Sequence, residues 1–247
     1  MPTRTSITQP RTRIWSPYGL NMLRDKPVHS FFCSEQAGAT VFKDHGLAKY
    51  DAVPHGNLVY GHASLVSKDA RTSMSTLDST GYAVATLHPA VSKSISLSVD
   101  AVVLLPDALR SGAFLFLGDN SSSHFGLGFG IGGTSIRNIA GAFPGIDAVG
   151  GYQQMYGTAL TVGTPQHVGY TIDASGNLLF YINGINVGGS FTHSASWTPI
   201  NSLYLFQDYS GIPPAGASYP FKYYAQYISI YSYVLSGVQM LSHASYV

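Results

Sequence analysis

Tyr170–Gly188, YTIDASGNLLFYINGINVG, reads as strand, turn, strand, turn, strand. Asp173-Ala174-Ser175-Gly176 carries turn chemistry: Asp suits the first position, and Gly supplies a left-handed φ. Asn183-Gly184 is a two-residue hairpin turn, because a type I′ turn needs positive φ at both central positions and Asn-Gly tolerates that best. The turn sets a register in which Ile182 faces Ile185, Tyr181 faces Asn186 and Phe180 faces Val187. One face then holds Leu178, Phe180, Ile182, Ile185 and Val187, all apolar. The other holds Leu179, Tyr181, Asn186 and Gly188. A one-residue slip would mix the two faces, so pattern and turn support each other.

The flanking chain continues in this manner. Ser94 to Leu105 alternates, with Ile95, Leu97, Val99, Ala101, Val103 and Leu105 on one face and Ser94, Ser96, Ser98 and Asp100 on the other, which predicts a long half-buried strand. Ala113–Gly118 and Leu203–Gln207 read as strands. Phe125–Gly132 puts Phe125, Leu127, Phe129 and Ile131 on one face and only glycines on the other, the mark of a strand that another backbone or a ligand approaches closely. Tyr223–Leu235 reads as a long strand, with Ile228, Ile230 and Val234 on one face and Tyr223, Tyr227, Tyr231 and Tyr233 on the other. Ser236-Gly237-Val238-Gln239 fits a capping box that opens a two-turn terminal helix. Phe31–Asp44 reads as two short strands about a Gly turn. Residues 136–163 read as irregular, and 45–90 give only short apolar pieces. Many short strands with Gly and Pro turns predict an all-β fold, an antiparallel jelly-roll sandwich.

The chain has 247 residues, which one large β domain accommodates. Charged residues make up only 10%, against about 25% in typical globular chains. The net charge of +1 argues against a nucleic-acid or polyanion binder. The single cysteine, Cys33, excludes an intrachain disulfide and reads as a small core residue. The N-terminal segment lacks an apolar signal region, and no run approaches the ~18 apolar residues of a membrane helix. The expectation is a protein made in the cytoplasm, with no membrane insertion. Residues 1–28 carry Arg4, Arg11, Arg13, Arg24 and Lys26 against Asp25, and Pro2, Pro10, Pro17 and Pro27 oppose helix and strand. They read as an extended basic arm ahead of a domain at 29–247, with Trp15 and Tyr18 as anchors on a neighbouring subunit or partner.

Several pieces, in order, resemble the laminin-G-like domains of the concanavalin A-like lectin/glucanase superfamily. Phe32-Cys33-Ser34-Glu35-Gln36-Ala37-Gly38, continuing through Asp44 and Gly46, is similar to the family's first strand and the turn after it. Ser94–Leu105 sits where the family has its long apolar strand. Gln166–Gly188 matches best, with His167-Val168, the Asp-x-x-Gly turn and Tyr181-Ile182-Asn183-Gly184. Tyr227–Leu241 resembles the closing strand and short helix. The resemblance covers about residues 30–245 and implies a jelly-roll architecture; it does not carry function with it.

The chemistry narrows as follows. Retaining glycoside hydrolases need two carboxyl groups about 5–5.5 Å apart, and in this superfamily they are two glutamates on one strand. This chain has a single glutamate, Glu35, and no two of its aspartates are two or four positions apart. Hydrolysis therefore ranks third. Calcium, the one cofactor entertained, would use Asp119-Asn120 and Asp208 in loops. The closest histidine pair, His55 and His62, has no helical spacing and no nearby cysteine, so no metal site is assigned. Gly128–Gly133 contains the letters of a dinucleotide motif, but no helix can start in the Gly- and Pro-bearing stretch after it. Asn120-Ser121-Ser122 is a glycosylation sequon that matters only on secretion.

Ligand binding remains. Asp119, Asn120, Tyr152, Asp208 and Tyr209 are candidates for a carbohydrate site at a loop rim. The tyrosine row at 223, 227, 231 and 233 suits a sugar platform, a packed second layer or a subunit interface. The reading that follows is a non-catalytic, virion-type structural or surface-binding protein, a capsid decoration or tail component. It would form homo-oligomers through the arm and recognise cell-surface glycans; a free carbohydrate-binding module is the alternative.

Overall fold

The computed structural model describes residues 16–76, 81–92, 96–107, 112–118, 126–132, 138–144, 152–189, 201–206 and 223–247. In chain order its elements are α1 (Pro17–Arg24), β1 (His29–Phe31), β2 (Val53–His55), β3 (Leu58–His62), β4 (Ser73–Thr76), β5 (Tyr82–Thr86), α2 (Pro89–Ser92), β6 (Leu97–Leu104), β7 (Gly112–Gly118), β8 (Gly126–Gly132), β9 (Asn138–Pro144), β10 (Tyr152–Ala159), β11 (Gln166–Ile172), β12 (Leu178–Ile182), β13 (Ile185–Gly188), β14 (Ser202–Leu205), β15 (Tyr224–Tyr231) and α3 (Gly237–Ala244). One sheet runs β13-β12-β11-β6-β15-β4-β3, with β1 also paired to β15; the other runs β10-β9-β8-β7-β14-β5-β2. The named strands pair antiparallel throughout. Their inner faces meet in one apolar core that includes Val99, Val103, Phe114, Phe129, Phe180 and Ile228. The protein is an all-β antiparallel sandwich.

The Asn-Gly hairpin forms as its chemistry requires. Asn183 has φ 50° and Gly184 φ 76°, and Ile182 pairs with Ile185 and Tyr181 with Asn186. One step further the register changes: Phe180 pairs with Gly188, and Val187 is the extra residue of a bulge. Leu178, Phe180 and Ile182 enter the core and Val187 packs against it. Ile185 does not; it is 65% exposed, because β13 is the outermost strand of its sheet. In the preceding turn, the Asp173 carboxylate accepts from the Ser175 and Asn177 backbone N–H groups and from Asn177 Nδ2, and Gly176 takes φ 81°.

The core joins the sheets through two tyrosines. Tyr170 on β11 donates its hydroxyl to Gly130 O on β8 at 2.8 Å, and Tyr223 donates to Gly112 O on β7 at 2.8 Å. A Cβ at Gly130 would lie 2.2 Å from Gly112 O and 2.6 Å from Ala113 Cα, so the glycines of β8 do mark a close backbone approach. Replacing Tyr170 by Phe removes one buried hydrogen bond between the sheets. The expected loss is about 1 kcal/mol, read by urea unfolding with an unchanged m-value.

Four readings change. Residues 17–24 form a helix: Pro17 occupies the first helical position, where its missing N–H is not needed, and Ser16 Oγ caps it by accepting from Gly19 N–H at 3.1 Å. Tyr18 and Met22 on this helix are wholly buried. The stretch 136–163, read as irregular, contains β9 and β10, which pair with each other, β9 pairing also with β8. Only isolated bridges, Phe31 to Asp44 and Phe42 to Ala52, stand where a second strand was expected after β1. Finally, β6 is buried on both faces: Ser98, Asp100 and Val102, on the polar side, are 0% exposed.

A bulge in β15 explains the misreading of the tyrosine row. Gln226 pairs with Val102 and Ser229 with Asp100, so two residues of β15 stand opposite one of β6, and Tyr227 takes φ 57°. The bulge shifts the alternation by one. Tyr223 therefore points into the core between the sheets, whereas Tyr227 and Tyr231 lie on the outer side. All three are 0% exposed and unavailable as a sugar platform or interface; Tyr233 alone is part exposed, its hydroxyl donating to Asp25 O at 2.6 Å.

Candidate functional site

The outer face of the first sheet is covered by the two terminal helices. Tyr18 and Met22 of α1 pack with Phe32, Val102 and Tyr227, and Met240 of α3 packs with Tyr181, Tyr231 and Leu235. Gly169 on β11 makes room for α3, since a Cβ there would lie 2.6 Å from Met240 Sδ. Asn21 Nδ2 ties the helices together by donating to Ser242 O and Oγ, both at 3.1 Å.

Beside α1 opens a cleft of about 570 Å³, lined by Ser16, Phe32, Glu35, Lys43, His45, Lys68, Asp69 and Arg71 among others. Its base is a ring stack: Phe32 lies 4.2 Å from the His45 ring and 4.8 Å from the Tyr227 ring, with the Arg71 guanidinium 5.1 Å over its face. The β15 bulge aims Tyr227 at this base. Its hydroxyl donates to Asp69 Oδ2, meets Ser16 Oγ at 2.7 Å and accepts from Arg71 at 3.2 Å. Burial, and then the hydrogen bond to Asp69, push the Tyr227 pKa up. Arg71 also bonds Asp69 Oδ1 through its guanidinium at 3.3 Å and its backbone N–H at 3.1 Å. On the far wall, Lys43 donates its backbone N–H to Glu35 Oε1 at 3.0 Å and its ammonium to Asp51 at 2.5 Å.

Asp44, between Lys43 and His45, anchors this wall. Oδ1 accepts from Ser30 N–H at 2.9 Å and Gly46 N–H at 2.8 Å; Oδ2 accepts from Tyr50 N–H at 3.1 Å and from His29 Nδ1 at 2.9 Å. The His29 tautomer follows, because Nε2 accepts from His88 N–H at 3.0 Å and so Nδ1 carries the proton. Gly46 is required by space: a Cβ would meet Val28 O at 2.5 Å.

A second polar group lies under α3. Asp100 on β6, His167 on β11 and His243 on α3 are all 0% exposed, and the nearest metal-ligating atoms of the three fall within 4.8 Å of one another. His243 Nδ1 is 2.6 Å from Asp100 Oδ2, and its Nε2 is 2.9 Å from Asp25 Oδ2. Burial opposes the charged form of His243, but Asp100 and Asp25 outweigh it and raise its pKa. Burial likewise pushes Asp100 up, while His243 and His167 bring it below the usual carboxylate value.

Asp119, Asn120, Asp208 and Tyr209 lie outside the described residues, as do Arg4, Arg11, Arg13 and Trp15 of the basic segment. Tyr152 opens β10, at an edge of the other sheet. Tyr18, Tyr223, Tyr227 and Tyr231 are internal. His55 stacks on Tyr82 and His62 meets Tyr224 edge-on, so each ring of the closest pair in sequence packs on a different tyrosine. Cys33 is a buried core residue, as expected.

No protein-family model matches the sequence, and no curated protein matches it. Solved structures do. Trypanosoma rangeli sialidase in complex with 2,3-difluorosialic acid has a TM-score of 0.63 at 14% identity, over 89% of this chain and 33% of that one. The binding domain of botulinum neurotoxin serotype D/C has a TM-score of 0.62 at 12% identity, over 90% and 52%. Botulinum neurotoxin type C, whose cell entry depends upon interaction with two ganglioside molecules, has a TM-score of 0.62 at 11% identity, over 91% and 52%. The chain spans about a third of the sialidase and half of the toxin chains, and at such identities the likeness shows the sandwich fold.

Proposed function

We propose that this sandwich is a non-catalytic glycan-recognition domain, and that the cleft beside α1 takes an acidic sugar. One observation carries the reading: Lys68, Lys43 and Arg71, the last two ion-paired to Asp51 and Asp69, line the cleft together with carboxylates and a hydroxyl around a base of stacked rings. Sugars need such convergent hydrogen-bonding groups in a mostly apolar cup, and a sugar carboxylate pairs with Arg or Lys. The sialidase bound to an analogue of sialic acid and the ganglioside-dependent toxin support the same class of ligand. The two carboxylates in the cleft act as hydrogen-bond acceptors, Asp69 toward Arg71 and Tyr227 and Glu35 toward the Lys43 backbone. That use favours binding over hydrolysis.

Particle assembly is the second reading. It rests on the basic segment and on the low-charge composition, and Tyr223, Tyr227 and Tyr231 among its candidate interface residues are internal. Glycan recognition is the stronger of the two.

Titration with sialyllactose and with lactose tests the proposal. The sialylated sugar is expected to bind and lactose to bind at least about tenfold more weakly, the loss of one charge-assisted contact of about 1.5 kcal/mol. Lys68→Glu, an exposed change, is expected to abolish the difference without altering the melting temperature. A broad glycan array without a single ligand would end the reading.

A further inference from the structure

The layer between the first sheet and α3 holds polar atoms that the protein itself leaves unsatisfied. Asp100 Oδ1, His167 Nδ1 and His167 Nε2 have no hydrogen-bond partner, and both residues are 0% exposed. Each such atom costs about 1–3 kcal/mol, and two of them, Asp100 Oδ1 and His167 Nε2, can turn to one shared ligand. His167 Nε2 faces the cluster, 3.7 Å from Asp100 Oδ2. We propose that Asp100, His167 and His243 form a buried site for one divalent transition-metal ion of the zinc class.

The donor set fits that class. Two imidazole nitrogens and a carboxylate are zinc ligands, whereas calcium and magnesium take oxygen. Donor atoms each about 2.1 Å from a tetrahedral ion stand about 3.4 Å apart, so a set lying within 4.8 Å closes on an ion with a movement of at most about 0.7 Å per donor. Asp25 completes the arrangement from outside: its Oδ2 accepts a hydrogen bond from His243 Nε2–H at 2.9 Å, which leaves Nδ1 facing inward as a ligand. A carboxylate behind a metal-bound imidazole is the usual way to fix that tautomer. Asp100 Oδ1 is available as the fourth donor. The ion takes the place of the proton that His243 Nδ1 holds toward Asp100, and that proton leaves to solvent. The carboxylates of Asp25 and Asp100 then balance the dication, leaving both imidazoles neutral. The site is closed on all sides and therefore structural. It would fasten α3 to β6 and β11, and through Asp25 the end of α1 as well.

The test uses the full chain, treated with EDTA and dialysed, and titrated with Co²⁺ and then Zn²⁺. The expected result is one ion per chain, a visible Co²⁺ band of a four-coordinate nitrogen/oxygen site that Zn²⁺ bleaches, and a melting temperature raised by Zn²⁺ but not by Mg²⁺. His167→Gln leaves the Asp100–His243 contact in place, so it should fold. It is expected to weaken Zn²⁺ binding by at least about 100-fold. The proposal is overturned if folded wild-type protein takes up neither ion, or if His167→Gln binds with unchanged affinity and spectrum.

Discussion

Asp44→Ala is expected to lower folding stability by at least about 3 kcal/mol. The carboxylate is buried and accepts four hydrogen bonds, three of them from backbone N–H groups of Ser30, Gly46 and Tyr50. Alanine leaves all three, and His29 Nδ1–H, without an acceptor inside the fold. Each orphaned buried donor costs about 1–3 kcal/mol, and local relaxation recovers part of that. Asp44→Asn keeps one acceptor oxygen and is expected to lose less. Chemical denaturation of the two variants reads the difference. Because Lys43 and His45 flank Asp44 and line the cleft, the variant is also expected to bind its ligand more weakly than the stability loss alone explains. Near-native stability of Asp44→Ala would mean that this carboxylate does not hold the wall.

Gly184→Ala carries the second large effect, about 3 kcal/mol. Two causes add. Gly184 has φ 76°, and a Cβ there would lie 2.4 Å from Leu241 Cα and 2.9 Å from Leu241 N. Those atoms are helix backbone and cannot turn aside, so α3 has to move. Gly188→Ala separates the causes: φ is 112° but nothing lies within 4 Å, and only the backbone term of about 1–2 kcal/mol is expected. Hydrogen exchange should show α3 opening more often in Gly184→Ala and unchanged in Gly188→Ala. Equal losses in the two variants would contradict the packing of hairpin against helix.

The legible parts of this fold are those written in local chemistry. Asn183-Gly184, the Asp173 turn and the Ser236/Gln239 capping box announce their own backbone angles, and each forms as read. Alternation along β6 was equally plain, yet its polar side was assigned to water. Periodicity reports which residues share a face; it does not report what covers that face, and here α1 and α3 do. The β15 bulge was invisible, because one extra residue changes the phase of a strand without any required residue type. Pro17 misled for a related reason: proline opposes a helix interior but suits its first position. Of the site, Asp44 and Gly46 enter through the resemblance, and Glu35 through the resemblance and as a lone glutamate. Asp100, His167 and His243 meet from three elements far apart in sequence, so no spacing could have joined them. The signal that existed was Asp100, a charged residue in a strand otherwise made of Ser and apolar side chains.

The most direct measurement is a residue-resolved NMR titration of the labelled protein with sialyllactose. The account predicts chemical-shift changes concentrated on Phe32–His45 and Lys68–Arg71, with the Tyr227 amide among them. Changes confined to Asp119, Asn120, Tyr152, Asp208 and Tyr209, with the cleft silent, would contradict it and place recognition at the loop rim instead.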